Sequence, residues 1–385
     1  MQMAALLWHL RLLSDQPVLV SGIGLARVLP LLFISPFGGL AADRYNRRLI
    51  LFITQGIMIL VAFLLGLLTL LGVIQIWHIY ILTMLQAVAG VFDTPARQAM
   101  MPNLVPREDL PNAFSLQSIA FNSGSILGPG LSGLVIGYLG MHYVYFFNAA
   151  SFLAVLAALV AMGKISQVRV KTPGGVRASL SSIREGFSFI RSKPIILSSM
   201  LLDFIATFFS SASTLMPFVA RDVLHVGEIE YGWLSAAESI GAVSVGFIFS
   251  QRDRIRRQGR LLMGAVLAFG LATACFGLVN NFWLAMFALL LVGAADTVST
   301  IIRNTIRQLQ TPDHIRGRMV GINQIFFGGG PQLGEIEAGV AAQFFGVPFA
   351  IISGGLGCIL AVGILAVIYP QLGHYRGDEP LPETT

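Results

Sequence analysis

Residues 39–48 read Gly39-Leu40-Ala41-Ala42-Asp43-Arg44-Tyr45-Asn46-Arg47-Arg48, a short charged break between an apolar run at 18–37 and another at 49–71. As a helix, about 20 mostly apolar residues cross the hydrocarbon of a bilayer. Runs of this kind continue at 77–92, 114–139, 143–162, 195–220, 231–250, 261–279, 282–302, 320–345 and 347–369. Residues 1–13 make a shorter one that already contains Arg11. The pattern predicts an all-α polytopic membrane protein with eleven full spans and a partial first helix in which the chain begins. Its composition agrees, with 55% hydrophobic and 11% charged residues, where soluble domains carry about 25% charged.

The basic residues test this map, because short cytoplasmic loops keep Lys and Arg. All but Arg11, Arg27, Arg221 and Arg376 fall in every second gap, from Arg44, Arg47 and Arg48 to Arg303, Arg307, Arg316 and Arg318. Those gaps and the C-terminus are therefore expected to be cytoplasmic, in a multi-pass protein of a plasma membrane. The net charge of +6 then reflects topology and anionic lipid rather than nucleic acid. Cys275 and Cys358 both lie in spans, against a disulfide framework. Residues 1–13 lack the basic leader and cleavage pattern of a signal peptide. His78, His142 and His314 have no metal-ligand spacing. No cofactor or metal is expected; the lipid bilayer is an expected partner, and a monomer is favoured.

An internal repeat organises the spans. Gly90, Asp93 and Thr94 recur as Gly293, Asp296 and Thr297, and Gly124, Gly128 and Gly133 recur as Gly330, Gly334 and Gly339. Nearly constant offsets in the same order signal duplicated architecture. The expected domains are a helical bundle at 1–163, a cytoplasmic linker at 164–194, a second bundle at 195–369 and a tail at 370–385. Within the linker, Leu180, Ile183, Phe187 and Ile190 recur every three or four residues, as an amphipathic interfacial helix requires.

Three motifs carry more. A tight reversal at 39–48 calls for residues that tolerate positive φ, such as Gly39 and Asn46; Asp43 suits a helix N-terminus. The stretch Gly124-Ser125-Ile126-Leu127-Gly128-Pro129-Gly130-Leu131-Ser132-Gly133 combines small residues at four-residue spacing, which let helices approach, with a helix-bending Pro. The third stretch is Phe92-Asp93-Thr94-Pro95-Ala96-Arg97, with Met216-Pro217-Phe218-Val219-Ala220-Arg221-Asp222 further on.

The first motif resembles the loop signature of the major facilitator superfamily, with Asn46 where that family usually has Gly. The second is similar to the antiporter motif of its exporters, with Ser132 in place of one Gly. The third resembles the branch that includes the enterobactin exporter and macrolide-efflux-like proteins, over essentially the whole chain. The resemblance implies two six-helix bundles and a cytoplasmic latch of Gly39, Asp43, Arg44, Arg47, Arg48, Asp93 and Asp296. It also implies helix packing at Gly124, Gly128, Pro129 and Gly133. Gln86 stands where many family members carry a fourth-helix Arg, so proton coupling is not carried over from that position.

Ionisable groups in a membrane span normally face a cavity or a partner. Arg27, Asp203, Glu238, Glu335 and Glu337 are such groups, and they are the candidates for proton coupling or substrate contact. Glu335 replaces Pro129 of the repeat. The tryptophans lie near span ends, as head-group anchors do. Nothing in the chain resembles a nucleophile set or a P-loop, so no enzyme is expected. The expected function is alternating-access efflux of a small amphipathic molecule, drug or siderophore-like, by proton antiport. Uptake symport and a non-transporting membrane receptor are the alternatives.

Overall fold

In hydrocarbon every backbone N–H and C=O has to find a partner within the chain, so the apolar runs fold as helices. The computed structural model describes residues 1–163, 187–209, 212–251, 256–311 and 313–377. Its long helices are α1 (Gln2–Leu13), α2 (Ile23–Arg44), α3 (Arg47–Leu70), α4 (Ile76–Met100), α5 (Leu110–Tyr138) and α6 (Met141–Ala161). They continue with α7 (Pro194–Phe209), α8 (Glu228–Ser250), α9 (Gln258–Leu278), α10 (Phe282–Gln310), α11 (Asp313–Phe345) and α12 (Val347–Ile368). Among the described residues there is no strand, and 10 helical segments are long and apolar enough to cross a membrane. The 12-residue α1 and the 33-residue α11 stand outside those ten.

Several helices depart from the apolar runs that announced them. α4 continues through Pro95 to Met100, and α10 continues to Gln310, so Arg97, Arg303 and Arg307 are helical rather than in loops. Pro95 has no N–H to give the Val91 carbonyl. Gly38 of α2 packs against that carbonyl so closely that a Cβ there would stand 2.3 Å from the oxygen. Within the run at 195–220, α7 is described as far as Phe209, and a 3-10 turn (Ala212–Leu215) and a π turn (Val219–Val223) lie further along. Of the expected amphipathic helix, 180–186 lies outside the described residues. Its end is helical, and Ile190 is buried against Ile196 and Met200 at the start of α7.

Contacts divide the chain into two units, Met1–Ser179 with Gly227–Trp233, and Leu180–Val226 with Leu234–Thr385. In the first unit α2 packs on α4, and α3 packs on both α4 and α6. In the second, α9 packs on α10 and α12, and α7 packs on α11 and α12. The second core extends beyond α12: a short helix, Pro370–His374, folds back so that Leu372 and Tyr375 join Leu262, Val266, Ile302 and Ile306. Tyr375 accepts from the Gly259 amide at 3.0 Å, and its hydroxyl takes a hydrogen bond from Gln310 Nε2 at 3.3 Å.

Candidate functional site

The 39–48 break turns without any left-handed residue. Asn46 has φ −66° and ψ 110°, and its side chain caps α3 by accepting from the amides of Arg48 and Leu49 at 3.0 and 3.3 Å. This corrects the expectation of a positive φ: an N-cap satisfies orphan amides and fixes the entry to a helix with extended backbone. Gly39 is a residue of α2, with nothing close to its Cβ direction. Arg47 donates to the carbonyls of Ala42 at 3.1 Å and Ala99 at 2.7 Å. Arg48 donates to the Leu159 carbonyl at 2.7 and 3.0 Å and lies over the Phe52 ring. The last carbonyls of a helix lack partners and carry partial negative charge, so the two arginines fasten the ends of α2, α4 and α6. Asp43 and Arg44 are exposed.

Asp93 is buried, and its carboxylate accepts from Thr54 at 3.0 Å and Gln55 at 2.7 Å, with Arg97 paired to it at 2.9 Å from one turn along α4. The first unit thus surrounds its repeated Asp with three donors.

The same unit holds a cavity of about 290 Å³ lined by Gln2, Met3, Leu6, Arg27, Met58, Thr83, Gln86, Ala87 and Gly90. Gln2 donates to Gln86 at 2.6 Å and accepts from Asn148. Two turns along α1, His9 is buried 3.0 Å from the Tyr145 hydroxyl. Trp8 stacks on Tyr231, whose hydroxyl donates to the Ala4 carbonyl at 2.9 Å. None of Gln2, His9 or Asn148 was singled out from sequence. Their shared signal is polar side chains inside otherwise apolar helices.

In the second unit Asp203 of α7 pairs with Arg303 of α10 at 2.7 Å, and the same guanidinium lies 3.7 Å from Asp296. Asp203 and Arg303 are 4% and 3% exposed, so the pair is out of water. Arg303 also donates to Thr300 at 2.7 Å. Two acids assigned to separate roles on sequence thus share one cation. Arg303 was counted as a loop residue because the apolar run ends at 302. The signal was the helical spacing of Asp296, Thr300, Arg303 and Arg307, which puts all four on one face.

Several of the repeated glycines, Gly128 and Gly133 in the first unit and Gly293, Gly330 and Gly334 in the second, mark close helix contacts. A Cβ on Gly128 would stand 2.8 Å from the Met1 nitrogen at the start of α1, and one on Gly334 would stand 2.1 Å from the Phe208 carbonyl of α7. Gly133 meets Gly232 at the start of α8, where a Cβ would lie 2.9 Å from the facing Cα. Pro129 is inside α5, and its carbonyl lies in the same contact. Gly124 has nothing within 4 Å. Glu335 is buried beside Gly334, and Glu337 is half-buried. Arg27 belongs to the first unit, and Asp203, Glu238, Asp296, Glu335 and Glu337 to the second.

The sequence matches the family described as transmembrane secretion effector over residues 1–379. The chain belongs to the major facilitator superfamily. This facilitator is 28% identical to the multidrug efflux pump Tap of Mycolicibacterium fortuitum, over 91% of its own chain and 87% of Tap. It is 27% identical to the enterobactin exporter EntS of Escherichia coli K12, over 89% and 81% of the two chains. Its fold matches a crystal structure of a POT family transporter at a TM-score of 0.74, with 12% identity and coverage of 96% and 93%. The facilitator is a multi-pass membrane transporter and not an enzyme.

Proposed function

We propose that this facilitator exports a small amphipathic molecule, drug or siderophore-like, across a bacterial inner membrane in exchange for protons. Its two halves alternate their exposure, and its basic loops and C-terminus are cytoplasmic. The exporter names of Tap and EntS support the direction. The observation that carries the coupling is the buried guanidinium of Arg303 with a carboxylate on either side. Breaking a buried ion pair is costly because it strands one charge. With two acids present, one can take a proton while the other keeps Arg303 paired. The cluster then moves between net charges of −1 and zero without stranding the cation, which is what a one-proton carrier in a membrane needs.

Everted vesicles test this reading with amphipathic dyes and a catecholate as cargo and an imposed proton gradient. Wild type is expected to accumulate at least one of them only when the gradient is present. Asp203→Asn is expected to lose at least about tenfold of that accumulation, the rate equivalent of about 1.4 kcal/mol, while still exchanging labelled for unlabelled cargo. Wild-type gradient-driven accumulation in both Asp203→Asn and Asp296→Asn removes the cluster from coupling.

The 39–48 loop fits a latch on the cytoplasmic side through Arg47, which ties α2 to the end of α4. Arg47→Ala and Asp43→Asn are expected to slow transport several-fold, about 1 kcal/mol in barrier, at normal membrane levels. Unchanged rates in both variants leave the loop with topology alone.

A further inference from the structure

The loop ahead of α3 has a counterpart ahead of α9, and the two units use their arginines differently. Asp43-Arg44-Tyr45-Asn46-Arg47 recurs as Asp253-Arg254-Ile255-Arg256-Arg257, with the Asp, the Arg beside it and the last Arg in the same places. In the first loop Arg47 and Arg48 are taken up by the carbonyls of Ala42, Ala99 and Leu159. In the second, backbone does the fastening: the Tyr375 carbonyl accepts from Gly259, where a Cβ would stand 1.6 Å from the Leu372 oxygen. Arg256, Arg257 and Arg260 are left exposed, with no side-chain hydrogen bond or ion pair among the described residues.

These cations stand at the end of an exposed apolar face. α9 and α12 pack side by side in opposite directions, Gly259 meeting Leu372, Gly270 meeting Gly355 and Gly277 meeting Ile351. On α9, Arg260, Gly264, Leu267 and Leu271 are exposed at the three- and four-residue spacing of one helix face, and on α12 Leu360, Gly363 and Val367 are exposed likewise. The register puts Gly264 nearly level with Gly363, and a Cβ on either would meet nothing within 4 Å. Both faces are therefore low just beyond Arg260.

We propose that this face seats one anionic phospholipid, its phosphate among Arg256, Arg257 and Arg260 and an acyl chain over Gly264 and Gly363. Basic residues beside a span attract anionic head groups, and a guanidinium fork can give one phosphate two parallel hydrogen bonds. A soluble anion meets the arginines but gains nothing from Leu267, Leu271, Leu360 or Val367. A zwitterionic lipid meets the leucines but brings no net charge to the arginines. The occupant that uses both is a lipid whose head is negative. The proposal is independent of the cargo and direction of transport.

Native mass spectrometry of the purified full chain in detergent tests this with three probes: phosphatidylglycerol, phosphatidylcholine and soluble glycerol 3-phosphate. Wild type is expected to retain phosphatidylglycerol about fivefold or more strongly than phosphatidylcholine, and glycerol 3-phosphate at least about tenfold more weakly than phosphatidylglycerol. The triple variant Arg256→Gln, Arg257→Gln, Arg260→Gln is expected to bring phosphatidylglycerol down to the level of phosphatidylcholine. Removing the same charge elsewhere, with Arg191→Gln, Lys193→Gln and Arg221→Gln, is expected to keep the preference. Gly264→Phe with Gly363→Phe fills the low part of the face and leaves every arginine in place; it is expected to lower retention of both lipids several-fold, and it keeps the test open if the arginine variant does not fold. The proposal is overturned if wild type holds the two lipids alike, or if the control variant loses the preference as fully as the arginine variant. It is equally overturned if glycerol 3-phosphate binds as tightly as phosphatidylglycerol, or if the phenylalanine variant retains phosphatidylglycerol as wild type does.

Discussion

Arg303→Met is expected to destabilise the second unit by about 3–5 kcal/mol, the cost of leaving a buried carboxylate with its partner removed. Asp203 is 4% exposed and its guanidinium partner lies at 2.7 Å, whereas Asp296 is farther off, at 3.7 Å, and its side chain is 44% exposed. The loss therefore falls on Asp203. Restoring charge balance is expected to restore stability: the double variant Asp203→Asn with Arg303→Met melts closer to wild type than Arg303→Met alone. Thermal unfolding of the purified variants in one detergent gives the comparison. A melting temperature for Arg303→Met equal to wild type means the pair contributes nothing, and the double variant melting below the single one means Asp203 was never the stranded charge.

The second large effect comes from the contact of α8 with α10. A Cβ on Gly293 would stand 1.8 Å from the Glu238 carbonyl oxygen, and one on Gly241 would stand 1.9 Å from that of Leu290. Non-bonded carbon atoms sit at about 3.5–4.0 Å, so the two backbones have to part before even an alanine fits. Gly293→Ala is expected to cost about 1–3 kcal/mol, as overpacking does, and Gly293→Val to prevent accumulation of folded protein. Gly264 on α9 has nothing within 4 Å; Gly264→Ala is expected to be neutral or to stabilise by up to about 1 kcal/mol through helix propensity alone. Equal melting temperatures for Gly293→Ala and Gly264→Ala dispose of the close contact.

The helices were legible because hydrocarbon leaves the backbone no alternative, and the repeat was legible because glycines mark where helices touch. What the same glycine does in each half was not. Gly90 lines the cavity with nothing within 4 Å of where a Cβ would stand, while its counterpart Gly293 is pressed against Glu238. A repeat records a position and leaves out the neighbour that position meets. The charge cluster was half-read for a similar reason. Asp203 and Asp296 stood out as acids among apolar residues, but Arg303 fell just past the last apolar residue and looked like a loop cation. Hydropathy finds the part of a helix that meets lipid, and α10 continues for two turns beyond it. The turn at Asn46 was misread because its composition suits left-handed backbone and a helix cap equally well; only the dihedral angles separate them.

Leu372 and Tyr375 complete the core of the second unit although they follow its last long helix in the chain. A ribosome delivers them after α7, α9, α10 and α12. Until then the place under Gly259 and Gln310 is empty, and the bundle lacks one of its largest buried side chains. Domains assemble as they are synthesised, and this bundle cannot close its core until residues 372–375 have followed α12 out.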